Sequence, residues 1–120
     1  MPRIGVRGWI HSGVKVYDNT AAPTSWTDLD LSVVVGKNRA LVFLKVKNTD
    51  TRGIEVYWLR TNGETLDVCN GFGSGCANSL IQVDKQRIVC AFVETDSEGV
   101  MEWHAETEDK SDISVLGYIR

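Results

Sequence analysis

Apolar and polar residues alternate along much of this chain with a period of two. The pattern is clearest in residues 40–48, where Val42, Leu44 and Val46 share one face and two lysines lie on the other. Two later segments are equally rich in β-branched and aromatic residues, at 88–95 and 100–106. This period is typical of strands that bury one face, so each of the three segments predicts a β-strand.

Turn-forming residues separate these segments and mark further strands. The connector at residues 96–99 predicts a tight hairpin between its two neighbours, and Asn62 with Gly63 predicts a second hairpin. Residues 18–24 read as a loop, and residues 25–32 fit either a strand or an extended arm. Shorter strand patterns lie at 3–10, 14–17, 54–60, 66–68, 79–83 and 112–119. About eight strands with this turn spacing predict an all-β fold, a two-sheet antiparallel β-sandwich of the jelly-roll type.

The alternation also divides each strand into a core-facing and an outward-facing set. In the strand that precedes Asn62 we expect Ile54, Val56 and Trp58 to face the core, opposite Glu55 and Tyr57.

The next-to-last strand divides in the same way. We expect Met101 and Trp103 to face the core, while Glu102, His104 and Glu106 lie on a solvated outer face.

Length and composition indicate one domain that spans residues 1–120. Linkers, repeats and low-complexity segments are not evident in the sequence. Residues 1–10 are a candidate N-terminal strand, or an arm that pairs with the sheet of a neighbouring subunit.

The charge balance and the apolar runs exclude several partners. A formal net charge of −3 argues against nucleic acid, which binds clustered Lys and Arg. The longest apolar runs are too short to cross a membrane, and the first ten residues lack the features of a signal peptide. We therefore expect synthesis in the cytoplasm, with a virion or extracellular location after release.

The chain has three cysteines. Cys69 and Cys76 bracket a glycine-rich loop and would form a disulfide in oxidising surroundings. Cys90 lies in the middle of a predicted strand, where we expect a buried free thiol. The spacing typical of structural zinc sites is missing, so we expect neither a metal nor another cofactor.

The candidate chemistry does not favour an enzyme. The glycine-rich loop at residues 71–75 matches neither a phosphate-binding motif nor the turn that carries a hydrolase serine. The sequence offers no combination of nucleophile, base and orienting group. We therefore predict a binding or structural role.

Four tryptophans are more than a core of this size requires. Trp58 and a second one at position 103 lie in strongly apolar strands, where we expect core packing. Trp9 and Trp26 lie in weaker segments and are the candidates for exposure. An exposed Trp26 beside Asp28 could stack on a sugar ring or pack against a neighbouring subunit, and packing in the core is the third alternative.

The chain from about residue 25 onward resembles small jelly-roll-like modules of virion structural proteins, among them tail-fibre, receptor-binding and capsid-decoration components of tailed phages. The segments that carry the resemblance are residues 26–32, 40–48, 60–64, 93–99, 102–103 and 115–119. They are core strands and hairpin turns, and no catalytic or ligand-binding residue is carried over with them. The chain is shorter than fibre proteins, which usually bear such a module at one end.

Two functions follow as hypotheses. The first is a virion or other assembly subunit, of the decoration, cement, minor capsid or fibre kind, that acts by self-association and by docking on a larger lattice. Its partners would be further copies of itself, a trimer being one such form, and other virion proteins. The alternative is a β-sandwich module that binds a surface carbohydrate or a receptor.

Overall fold

The computed structural model describes residues 13–64 and 79–120. These residues form eight strands and one short helix: β1 (Val14–Ala21), β2 (Thr27–Asp30), α1 (Ser32–Val35), β3 (Leu41–Asn48), β4 (Glu55–Thr61), β5 (Ser79–Val83), β6 (Ile88–Glu94), β7 (Val100–Ala105) and β8 (Lys110–Ile119). The candidate arm at residues 1–10, Trp9, the return strand at 66–68 and the pair Cys69 and Cys76 lie outside the described residues.

The strands form two antiparallel four-stranded sheets. The strand order of the first sheet is β1-β8-β3-β6, and that of the second sheet is β2-β7-β4-β5. The pairs β1·β8, β2·β7, β3·β6 and β4·β5 are those of one long hairpin folded over on itself, which is the arrangement of a jelly roll. The predicted two-sheet β-sandwich is therefore confirmed.

The predicted hairpin at residues 96–99 is wrong in one respect. The segment is a tight turn, since the Asp96 carboxylate accepts the backbone N–H groups of Glu98 and Val100 at 2.9 and 3.0 Å. However, β6 belongs to the first sheet and β7 to the second, so the turn joins two sheets instead of two paired strands. A local turn signal does not record which partner each strand finds.

The first two strands differ from the predicted boundaries. β1 extends to Ala21, through residues that read as a loop, and its ladder with β8 has two irregular steps. Residues 25–32 contain β2 and the start of α1, and α1 begins where the Asp30 carboxylate accepts the N–H of Ser32 at 2.9 Å. Leu31 and Val35 anchor this short helix, because both are fully buried.

The core fills the space between the two sheets. The inward set on β3 is the predicted one, Val42, Leu44 and Val46, and all three are fully buried. Trp103 lies at the centre, with Tyr17 at its edge at 4.9 Å and Tyr57 stacked at 6.1 Å between ring centroids.

The faces of β4 are the reverse of those predicted. Tyr57 and Leu59 face the core, whereas Val56 and Trp58 lie on the outer face of the second sheet. A period of two separates the two sets correctly but does not state which set is inside.

Glu55 shares the inner face of β4 and is fully buried at one end of the core. Its carboxylate accepts hydrogen bonds from Thr107 Oγ1 at 2.6 Å and from the backbone N–H groups of Val56 and Thr107 at 3.0 and 3.1 Å. These bonds replace the water that the carboxylate loses on burial, which is why a glutamate is tolerated here.

Among the described residues, the structure contains no helix with the length and hydropathy needed to cross a membrane.

Candidate functional site

The outer face of the second sheet carries a mixed aromatic and charged cluster. Pairing of β4 with β7 places Trp58 opposite His104 and Arg60 opposite Glu102. Pairing of β2 with β7 brings Asp28 to the other side of Glu102. Trp26, just before β2, completes what we call the aromatic cluster: Trp26, Trp58, Arg60, Glu102 and His104.

The members of the aromatic cluster are in direct contact. The imidazole of His104 stacks on Trp58 with centroids 4.6 Å apart and an interplanar angle of 11°, and Trp26 meets His104 edge-to-face at 4.5 Å. The guanidinium carbon of Arg60 lies 3.8 Å from the centroid of the Trp26 ring, which is a cation–π contact. The Arg60 Nε group also donates to the Glu102 carboxylate.

The prediction of a solvated face for Glu102 and His104 is wrong. Their relative exposures are only 8% and 7%, because Trp26 and Trp58 pack around them. Burial lowers the pKa of the His104 imidazole below its ordinary value, and the positive charge of Arg60 lowers it further. The neutral imidazole is therefore the favoured form in the folded protein. Glu106, beyond the end of β7, is exposed as predicted.

Two of the residues predicted to contact a sugar or a neighbouring subunit, Trp26 and Asp28, lie among the described residues, and their environments differ. Asp28 is exposed on the outer face. Trp26 is only half-buried, but its ring is engaged by Arg60 and His104, so it is neither a core residue nor a freely exposed one. Trp58 is 3% exposed, and its indole N–H has no acceptor among the described residues.

The outer face of the first sheet is basic on β1, on β8 and on the second half of β3. Lys15 and Lys45 both lie opposite Ser114, and Lys47 lies opposite Asp112. Together with Gly13 and Ile88, these residues line a depression of about 290 Å³. We call Lys15, Lys45, Lys47 and Lys110 the lysine set.

The other side of this face is apolar. On β6, Ile88 and Phe92 are 51% and 58% exposed, and Cys90 between them is also exposed. Phe43 lies directly across from Phe92 on β3 and is half-buried. We call Phe43, Ile88, Cys90 and Phe92 the apolar strip.

The exposure of Cys90 contradicts the predicted buried thiol. The register with β3 pairs Cys90 with Lys45, which puts both on the outer face, while Ala91 and Val93 fill the core. A signal for this strip exists in the sequence. Residues 88–93 are apolar at odd and even positions alike, so the strand has two apolar faces although only one of them packs on the core.

A third group of polar residues lies at the corner between the β3–β4 and β7–β8 turns. Arg52 pairs with the buried Asp109 at 2.9 Å and with Asp50 at 3.3 Å, beside a depression of about 250 Å³. Asn48 donates from its side-chain amide to Gly53 and Val83 at 2.8 and 3.0 Å. These contacts connect the turns, so this corner has a structural role.

The described residues contain no cluster of three or more His, Cys, Asp or Glu side chains that could hold a metal ion.

Comparison of the chain with family models, with curated proteins and with solved structures gave no match.

Proposed function

We propose that the protein is a structural subunit of a larger assembly and that it self-associates through the outer face of the first sheet. The resemblance given by the sequence makes that assembly a virion. The partners are further copies of the chain and proteins of the lattice on which those copies dock. The function consists of binding and requires no chemical step.

The observation that carries the proposal is the apolar strip. Ile88, Cys90 and Phe92 occupy three successive outward positions of one strand, and all three are exposed, Ile88 and Phe92 by more than half. Scattered apolar residues are common on protein surfaces, but a contiguous apolar patch bordered by charges is typical of an interface. Phe43 widens the strip onto the neighbouring strand β3.

Two other exposed apolar residues do not form such a patch. Val33 lies on α1 and Ile54 lies just before β4, and they are 82% and 63% exposed. Neither belongs to the outer face of the first sheet. Ile54 therefore provides a control of the same residue type as Ile88 at a similar exposure.

The experiment is the native mass of the full chain, measured by light scattering behind a sizing column over a range of protein concentrations. We expect a mass above the 13.3 kDa of one chain. The variants Ile88→Thr and Phe92→Ser should each move the protein toward the monomer, whereas Ile54→Thr should leave the mass unchanged. A wild-type monomer at all concentrations would overturn the proposal, as would equal effects of Ile88→Thr and Ile54→Thr.

The second candidate function is carbohydrate binding by the aromatic cluster, and it is favoured by Trp26. This ring is half-buried at the surface, two residues from the exposed carboxylate of Asp28. A bound sugar would change the emission of Trp26, and Trp26→Phe would remove that change. Unchanged fluorescence of the wild-type protein across a broad panel of glycans would count against this function.

A further inference from the structure

We infer that copies of this chain associate head-to-tail, with the outer face of the first sheet of one copy packed on the outer face of the second sheet of the next. This inference rests on the proposed self-association and specifies its geometry. The apolar strip and the lysine set of one copy thus contact the opposite side of the next copy, the outer face of its second sheet.

The first argument is the charge of the two faces. The four lysines of the lysine set share the outer face of the first sheet with three carboxylates, Asp18, Asp112 and Glu94. Asp18 and Asp112 pair with Lys15 at 3.3 and 3.4 Å, and Glu94 pairs with Arg39 outside the lysine set at 2.8 Å. The face therefore carries a surplus of positive charge, although the whole chain is acidic.

The outer face of the second sheet has the opposite sign. Its strands carry the carboxylates of Asp28, Asp30 and Glu102 against the single guanidinium of Arg60, which is paired with Glu102. Asp28 and Asp30 are both exposed on β2. Two basic faces would repel each other in a two-fold dimer, whereas a basic and an acidic face attract.

The second argument is the position of the apolar residues on each face. The turn at residues 84–87 joins β5 directly to β6, and Ser79 Oγ on β5 donates to the backbone oxygen of Phe92 on β6. The edge strands β5 and β6 therefore lie at the same edge of the sandwich. The two strand orders then place β1 and β2 together at the opposite edge.

Because of this arrangement, stacking one copy on the next brings complementary residues together in both the apolar half and the charged half of the interface. On the first sheet the apolar strip lies toward the β6 edge, and Lys15 and Lys110 lie toward the β1 edge. On the second sheet Leu80 lies on β5, and Asp28 lies on β2. If one copy is shifted along the normal to the sheets, apolar residues meet apolar residues and lysines meet aspartates.

An interface between two different faces of the same chain has a further property. A head-to-tail pair leaves the first-sheet face of one copy and the second-sheet face of the other unused, so further copies add until a ring closes or a filament grows. We therefore expect the native mass to rise with protein concentration beyond that of a dimer. Salt should weaken the association, because the charges at the rim of the interface are screened.

The test is a charge swap across the predicted contact, read out as the association constant from sedimentation of the full chain. We expect Lys15→Glu and Asp28→Lys each to lower the association constant about tenfold or more, because each places like charges face to face. The double variant Lys15→Glu with Asp28→Lys should regain at least part of the loss. Lys85→Glu and Glu108→Lys, which change exposed turn residues by the same charges, are the matched controls and should have no effect.

The outcomes separate this inference from the proposed function. If the wild type associates but Asp28→Lys has no effect and the double variant behaves like Lys15→Glu, the interface is face-to-face and the head-to-tail geometry is wrong. If the wild type does not associate at all, the proposed self-association itself fails. Thermal unfolding of each variant shows whether a lower association constant reflects the interface, because a variant with an unchanged midpoint has kept its fold.

Discussion

Trp58 and His104 occupy directly opposed positions on β4 and β7, and their rings stack almost parallel on the outer face of the second sheet. The pKa of the imidazole is lowered because protonation would place a positive charge in a poorly hydrated position beside Arg60. The same contact explains why a histidine on an outer face is 7% exposed. The cluster therefore couples the packing of the outer face to the protonation of one side chain.

We predict that acid destabilises the protein through His104 before it reaches the carboxylates. The folded-state pKa of His104 lies below its unfolded value of 6.5, so between these two values the unfolded chain binds more protons than the folded one. The free energy of unfolding should therefore fall as the pH drops from about 6.5 toward the folded-state pKa, and it should level off below that value. Urea denaturation at a series of pH values measures this dependence.

The variant His104→Gln serves as the control for the pH prediction. It lacks a titratable group at this position, so its free energy of unfolding should vary less over the same pH range. Identical pH dependence of the variant and the wild type would show that another group is responsible. The pKa of Asp30 is lowered by hydrogen bonds from the Ser32 side chain and backbone N–H, and that of Asp50 by backbone N–H groups. Both should act only at more acidic pH, because their ordinary value is already 3.8.

A second prediction concerns the ion pair of Arg60 and Glu102. The two side chains are only 14% and 11% exposed. Arg60→Met should lower the free energy of unfolding by about 3 kcal/mol, because the Glu102 carboxylate would remain in a poorly hydrated position without its partner. The variant also removes the cation–π contact with Trp26, so the near-ultraviolet circular dichroism should change.

The double variant Arg60→Met with Glu102→Gln isolates the pair. It leaves no unpaired charge behind, so its free energy of unfolding should exceed that of Arg60→Met alone. Strictly additive losses in the two single variants and the double variant would mean that the two side chains act independently. In that case the destabilisation would come from lost packing on Trp26.

A third prediction compares two glycines with similar backbone angles. Gly99 and Gly63 have φ values of 78° and 80°, a region that L side chains rarely adopt. A Cβ at Gly99 would overlap the backbone oxygen of Gly36 and lie 3.1 Å from Ser32 Cα, whereas a Cβ at Gly63 would have no neighbour within 4 Å.

Gly63→Ala should therefore cost only the backbone strain, about 1 kcal/mol in the free energy of unfolding. Gly99→Ala should cost at least about 2 kcal/mol more, because the turn after β6 would have to move away from α1. Chemical denaturation of the two variants measures the difference. Equal losses would mean that the turn and the helix adjust without cost.

The sequence predicted where the strands lie better than which strands pair and which face of each strand is buried. On β3, alternation identified the buried residues correctly because Val42, Leu44 and Val46 are apolar while the alternate positions 45 and 47 carry lysines. On β4, the polar Glu55 faces the core and the apolar Trp58 lies on the outer face, so polarity does not identify the inner face. A buried carboxylate needs donors that come from Thr107 and Asp109, and those residues lie more than fifty positions away. No local pattern contains that information.

The candidate site shows the same limit. The aromatic and charged residues on β2, β4 and β7 were each visible in the sequence, but their contact depends on two strand registers, β2 with β7 and β4 with β7, that only the complete sheet defines. The apolar strip was visible as a continuous apolar run in residues 88–93. Its exposure follows from the position of β6 at the edge of the first sheet, which the sequence does not state.

The nested order of strand pairs has a consequence for how the molecule is made. Lys15 and Asp112 lie 97 positions apart in the chain, yet they are joined in the finished protein, and β8 lies between β1 and β3. During synthesis, β1 and β3 must wait for β8, the last of the eight strands to leave the ribosome, before their sheet can close. Folds dominated by such distant pairings fold slowly, on a scale of roughly milliseconds to seconds. Until then the unpaired strand edges are open to aggregation, a risk that the small size of the chain does not suggest.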